Sequence, residues 1–364
     1  MDKLTMKNLM LMGHPLMAQC TKFVTRHKPL TQRQWLQRML DMPETDLPID
    51  TYGDGPAVDL LEQKMAKVLG KERALFVHKG MVAQFSALLH WSKANNSKYI
   101  AIHPQSHIQV DESMAYSELL GLEGVMFGEP DQPITSADID RLPADLATVC
   151  IELPVRRAGF KLPEWHTLVT LREYCDSHDV PLHIDGGRLW ESADYWQKSY
   201  AEVAGLADSV YVSLYKGLGA AAGGIIAGDS DFIEQLLPWR SRFGGNIFTV
   251  FPYVLTALWG VDNYLPRISE FNQRAGELAT VFKAVLGEQA IPNPVQCNGF
   301  MVELTIAPDL LKSKVLEAAE QQHIWLIDRI SETSQGNSQF EIQVGDAMDD
   351  WTNQALVETF AGLL

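Results

Sequence analysis

The chain has 364 residues, more than one hydrophobic core usually serves, so a large domain with a smaller one appended is expected. Its 46% hydrophobic and 21% charged residues are those of an ordinary folded protein and argue against disorder. A formal net charge of -16 argues against a nucleic-acid partner, because phosphate backbones are gripped by clustered Lys and Arg.

The N-terminus, Met1 to Lys7, runs into a Met-rich stretch broken by Gly13, His14 and Pro15, which does not read as a signal-peptide core. Residues 1–55 read as an N-terminal arm, with a helix around Gln32 to Leu40 and a turn at Tyr52-Gly53-Asp54-Gly55-Pro56. Residues 56–250 read as the large domain. Val58 to Leu69 has apolar residues at helical spacing and stops at Gly70, Ala74 to His78 is a short strand, and Gly80 opens a helix over Met81 to Lys93. Strands follow at Tyr99 to Ile102, Gly124 to Phe127, Ala147 to Leu153, Pro181 to Asp185, Ser209 to Leu214 and Gly223 to Ala227, with helices such as Leu162 to His178 between them. Apolar strands alternating with helices imply an α/β fold, a mainly parallel sheet covered on both faces, with functional groups beyond the carboxyl ends of the strands. Residues 251–364 read as one long helical stretch from Pro252 to Leu286 and a smaller α+β domain containing a helix over Pro308 to Gln322.

The cysteines, Cys20, Cys150, Cys175 and Cys297, lack the close spacing of a zinc knuckle or redox dithiol and read as thiols of a reducing compartment. The longest apolar run, Leu218 to Gly228, is too short and Gly-rich to span a membrane, so the expected location is the cytoplasm.

The loop His78-Lys79-Gly80, His107, Asp185 and Lys216 all fall at strand ends. Their chemistries suit pyridoxal 5'-phosphate (PLP), which needs an amine to condense with, an acid for its ring nitrogen, a stacking group and an anion site. Lys216 follows a strand and precedes the small residues Gly217 to Gly224, which let backbone approach a bulky ring. The plainer alternative is a lysine that caps the strand and points to solvent. Asp185 ends an otherwise apolar strand; its alternatives are a turn aspartate before Gly186 and Gly187, or a metal ligand with His183 on the same strand face.

Two segments, His183-Ile184-Asp185-Gly186-Gly187-Arg188-Leu189-Trp190 and Asp208 to Ala220 around Lys216, resemble the central signature of the threonine aldolase and β-eliminating lyase family of fold-type-I PLP enzymes. Tyr52 to Pro56, Ala74 to Gly80, Ser106-His107-Ile108 with Glu112, Glu152 with Arg157-Ala158-Gly159, Trp239-Arg240 and Phe243-Gly244-Gly245 match family segments in the same order. The resemblance implies that Lys216 forms the Schiff base, Asp185 pairs with the pyridine nitrogen, Arg188 binds the substrate carboxylate, and His107 stacks on the ring near the β-hydroxyl. His107 as a satisfied loop histidine, and Arg188 as the ion-pair partner of Glu152, stay open. For the phosphate, Lys79-Gly80-Met81 stands where the family commonly has Ser-Gly-Thr, so a hydroxyl is lost. Amide N–H groups after Gly80 and the charge of Lys79 remain, unless Lys79 is a solvated loop residue. The family's second carboxylate-binding arginine falls near Glu341, where no arginine stands; Arg157 and Arg329 are the candidates to replace it.

The resemblance further implies a lyase that cleaves Cα–Cβ of a β-hydroxy amino acid to glycine and an aldehyde. Alternatives are β-elimination from a β-substituted amino acid, or PLP binding without turnover. The implied assembly is a homodimer or homotetramer, to which Tyr52 and Arg240 contribute across the interface.

Overall fold

The computed structural model describes residues 7–363; of the run read for a signal peptide, residues 1–6 lie outside the described part. Contacts divide the chain into two compact units, Leu30–Arg267 and Met1–Pro29 with Ile268–Leu364.

The Leu30–Arg267 unit is an α/β layer structure. Its seven strands are β1 (Arg73–Val77), β2 (Tyr99–Ile102), β3 (Glu123–Met126), β4 (Thr148–Glu152), β5 (Leu182–Gly186), β6 (Ser209–Ser213) and β7 (Gly224–Gly228). They lie in the order β1-β7-β6-β5-β4-β2-β3. β7 is antiparallel to both of its neighbours, whereas every other adjacent pair is parallel. β5, β6 and β7 are buried along their whole length, as expected of strands covered on both faces, so the polar His183, Asp185, Ser209 and Ser213 on them are buried too.

Helices close the faces of this sheet. Pro56–Leu69 begins with Pro at its first turn and ends at Gly70 in the left-handed region, φ 62°. It buries Val58, Leu61, Met65 and Leu69 at helical spacing. Gly80–Ala94 sits on the sheet, with Val82, Ala83 and Ala87 against Leu75, Val77, Tyr211 and Ile226, and with Phe85 and Leu88 in the cluster of Ile100 and Ile102. At ~25 cal/mol per Å2 of apolar surface, each fully buried Val, Leu, Ile or Phe among them contributes about 1.5–3 kcal/mol.

The single helical stretch expected from Pro252 to Leu286 is two helices, Phe251–Asn263 and Ile268–Leu286, separated by a 3-10 turn at Leu265–Arg267. Pro266 lies in that turn; it has no N–H to give and disfavours helical geometry in the residue before it.

The second unit carries a four-stranded antiparallel sheet in the order Asn8–Met10, Arg329–Glu332, Ser338–Gln343, Gly299–Leu304. Its core contains an aromatic cluster, in which Phe282 contacts Phe300 and Phe360, and Phe360 stacks on Phe340.

Gly260 marks a close approach between the Phe251–Asn263 helix and the loop that follows Lys216, because a Cβ there would lie 2.0 Å from the Leu218 carbonyl oxygen. Gly260→Ala is expected to destabilise the protein by roughly 1–3 kcal/mol through this overpacking. Gly276→Ala, in the Ile268–Leu286 helix with open space around it, should instead add up to about 1 kcal/mol. Denaturant unfolding of both variants checks the contrast, and equal effects would contradict the contact.

Candidate active site

Register brings the functional groups together. Glu152 on β4 is paired with Asp185 on β5, which is paired with Tyr211 on β6, so the three form one row near the carboxyl ends of the strands. Two residues back along the same strands lies a second row of Cys150, His183 and Ser209. Loops beyond the strand ends add His107, which starts a short helix after β2, then Gly187 and Arg188 after β5, and Lys216 after β6.

Asp185 is 1% exposed. Its Oδ1 accepts the Gly187 amide N–H at 3.2 Å. Its Oδ2 lies 2.8 Å from His107 Nε2, a close ion pair whose alignment is too poor for a hydrogen bond, so Oδ2 has no hydrogen-bond donor aimed at it. Burial pushes the Asp185 carboxyl up, but the His107 imidazole and then the Lys216 amine outweigh it and hold the group below the usual carboxylate range. Glu152 goes the other way, raised by burial and by the charge of Asp185 beside it. Two carboxylates in adjacent register are thus split, one ionised and one inclined to keep its proton. Glu152 Oε2 also accepts the His107 backbone N–H at 2.8 Å, which anchors the loop that carries the imidazole.

For His107, burial opposes the charged form, yet Asp185 more than compensates and lifts the imidazole to about 9. Lys216 is lowered to about 8, first by burial and then by the Arg188 guanidinium. Its amine and the Asp185 carboxylate flank one glycine: a Cβ on Gly187 would lie 2.8 Å from Lys216 Nζ and 3.4 Å from Asp185 Oδ1. The solvent-capped alternative for Lys216 is therefore set aside by its surroundings.

Arg188 stands 5.7 Å over the Phe160 ring and is near enough to Lys216 to help lower it, and to Tyr215 to oppose in part the rise that burial imposes on that phenol. Arg157 is elsewhere engaged: its Nε donates to Asp111 Oδ2 at 3.0 Å and its Nη2 pairs with Asp111 Oδ1. Lys79 is the exposed N-cap residue of the Gly80–Ala94 helix, whose first turn has no side-chain cap, and Met81 is buried. The N-terminal amides of that helix have no side-chain cap and lie at the positive end of its dipole, a combination that suits an anion. Arg329 lies in the other unit, on the strand that pairs with Asn8–Met10.

A buried hydrogen-bond chain underlies Asp185. Trp91 Nε1 donates to Ser209 Oγ at 3.0 Å, Ser209 Oγ meets His183 Nδ1 at 2.8 Å, and His183 Nε2 meets Gln84 Oε1 at 2.8 Å. Burial pushes His183 down to about 4, so it is neutral with both nitrogens in use. Among the described residues no group of three or more His, Cys, Asp or Glu could hold a metal ion. None of their helices is long and apolar enough to cross a membrane.

Sequence reasoning passed over Tyr211 and Ser213. Both point to the face of β6 that carries the site, a fact available from the two-residue period once Asp185 and β6 are known to be neighbours.

The family model for beta-eliminating lyases matches residues 33–307. The chain belongs to the beta-eliminating lyase family. Within it, the low-specificity L-threonine aldolase 1 of Arabidopsis thaliana is 27% identical over 288 residues, covering 76% of this chain and 80% of that protein. A crystal structure from Listeria monocytogenes, of a protein provisionally described as an L-allo-threonine aldolase, is 31% identical and superposes with a TM-score of 0.88, covering 96% of this chain and 99% of that one. The serine palmitoyltransferase of Sphingomonas wittichii, at 14% identity and a TM-score of 0.64 over 90% of this chain and 82% of that one, shares the fold, that of fold-type-I PLP enzymes. This lyase therefore has the architecture that its strand pattern implied.

The depressed amine of this lyase is directly measurable. Competitive acetylation with residue-resolved mass spectrometry should give half-reaction of Lys216 near pH 8, since its neutral form accumulates above that value. Arg188→Ala should move the midpoint upward, because a repelling cation is removed. A wild-type midpoint near 10.5, the value of an ordinary lysine, would contradict the buried environment.

Proposed function

We propose that this chain is a PLP-dependent lyase that cleaves the Cα–Cβ bond of a β-hydroxy amino acid to glycine and an aldehyde. The observation that carries the reading is the Lys216 amine and the Asp185 carboxylate together at Gly187, with Tyr211 reaching from there to a helix start without a side-chain cap.

The residues fit the cofactor. Asp185 Oδ2 is a buried acceptor without an aligned donor, as a ring N–H requires. Lys216 supplies the amine, Lys79, Gly80 and Met81 open the anion site, and His107 is the residue to stack on the ring. When bound, PLP supplies a carbonyl that condenses with amines and a ring that takes up the electrons of the bond broken at Cα.

The chain's own groups do the rest. Asp185 stays ionised and so keeps a ring nitrogen protonated. Lys216, at about 8, is partly neutral at physiological pH and can attack or exchange without a separate base. Arg188 grips the substrate carboxylate, which fixes which Cα bond stands to be broken. Arg157 could take that part only by giving up Asp111. His107, raised to about 9, holds its proton at neutral pH; its neutral form, able to take the β-hydroxyl proton, grows as pH rises towards and through that value.

The same reading includes an assembly of two or more copies. Leu36, Leu40, Ile49, Tyr52 and Phe248 are large apolar side chains of the Leu30–Arg267 unit left exposed. Free, mostly buried cysteines suit the reducing cytoplasm.

The test is a panel of L- and D-β-hydroxy amino acids and β-substituted amino acids incubated with PLP-loaded protein. Aldehyde and glycine are expected; pyruvate and ammonia without aldehyde would replace aldol cleavage by elimination. Asp185→Asn should lower aldehyde release by about a hundredfold or more, as expected for loss of a buried charge partner. Activity should rise with pH between about 7 and 9, as Lys216 and then His107 lose protons.

A further inference from the structure

Met81, in the first turn of the Gly80–Ala94 helix, is apolar and buried and offers no hydroxyl to an anion. A hydroxyl reaches the same place from β6. Tyr211 is 2% exposed and its ring passes between glycines: a Cβ on Gly224 would lie 2.5 Å from its Cε2, and one on Gly187 would lie 3.7 Å from its Cε1. A Cβ on Gly80 would lie 2.2 Å from its Oη, so the phenol oxygen presses on the first residue of the Gly80–Ala94 helix. The ring itself is fixed in the core with Leu75, Val77 and Ile226.

A second, independent observation points to a ligand there. Ser213, two residues along the same face of β6, is wholly buried, and its Oγ makes no aligned hydrogen bond. It lies close enough to the Tyr211 and Tyr215 hydroxyls to favour their ionised forms, although burial dominates both phenols and raises them. Buried hydroxyls cost about 1–3 kcal/mol each when they are not fully hydrogen-bonded, and here the Ser213 and Tyr211 hydroxyls sit together on one face of β6.

We propose that the Tyr211 hydroxyl is a ligand of the anion held at the start of the Gly80–Ala94 helix, replacing the hydroxyl missing at Met81. The inference rests on the function proposed above, in which that anion is the phosphate of PLP. The Gly80 and Met81 amides and the Tyr211 hydroxyl are then its donors, and Tyr211 ties the phosphate end of the site to the strand next to Asp185.

The test compares wild type with Tyr211→Phe, which removes one oxygen and keeps the packed ring. PLP-depleted protein is titrated with PLP, and separately with pyridoxal, which lacks the phosphate, while absorbance reports binding. Tyr211→Phe should weaken PLP by about tenfold or more, the worth of one hydrogen bond to a charged group, and leave pyridoxal unchanged. Equal PLP affinity in the two proteins, or an equal loss for PLP and pyridoxal, overturns the role of Tyr211 while leaving the lyase reading in place. Wild type that binds neither compound overturns both. As a measurement that needs no variant, inorganic phosphate added to PLP-depleted wild type should give a saturable near-ultraviolet tyrosine difference signal; a flat response counts against the proposal.

Discussion

The carboxylate of Asp185 has to remain ionised where almost no water reaches it. Burial works against this, and the cost is offset by two cations brought in from different loops, His107 after β2 and Lys216 after β6. The same interaction acts on its partners: it lifts His107 and keeps the descent of Lys216 in check. Remove the register of β4, β5 and β6 and none of these groups would meet, since they are far apart in sequence and come together only because parallel strands end at one level. Rigid strands hold the charge in place, and the loops need only deliver its companions.

Close packing completes the arrangement. Gly187 lets the Lys216 amine settle over the backbone, and Gly260 lets a helix touch the loop after Lys216. At each point a methyl group would occupy space that the functional geometry already uses. The run of small residues from Gly217 to Gly224 belongs to the same pattern, so much of the glycine in this unit reflects approach distances as well as turns.

Much of this was legible in the sequence. The helices Gln32–Leu40 and Pro308–Gln322 and the strand Tyr99–Ile102 stand where periodicity and caps put them, because their apolar spacing and Pro or Thr starts are unambiguous. Lys216 and Asp185 were visible as chemistry at strand ends. The break at Leu265–Arg267 was hidden because the apolar pattern continues through Pro266. Tyr211 was hidden for another reason: in a strand buried on both faces, a tyrosine reads as core, and only the neighbour across the sheet reveals that it stands level with Asp185. The engagement of Arg157 by Asp111 depends on two loops that local sequence does not relate.

The polar chain beneath Asp185 has a direction. With Gln84 Oε1 as the acceptor, His183 carries its hydrogen on Nε2, and the Ser209 hydroxyl gives its hydrogen to Nδ1 while receiving that of Trp91. An indole N–H can give a hydrogen bond but cannot take up a proton, so the chain has no onward acceptor at that end. The chain beneath Asp185 therefore gives no proton a way out through Trp91, and the groups that can exchange protons at this site, Lys216 and His107, are those carried by the loops.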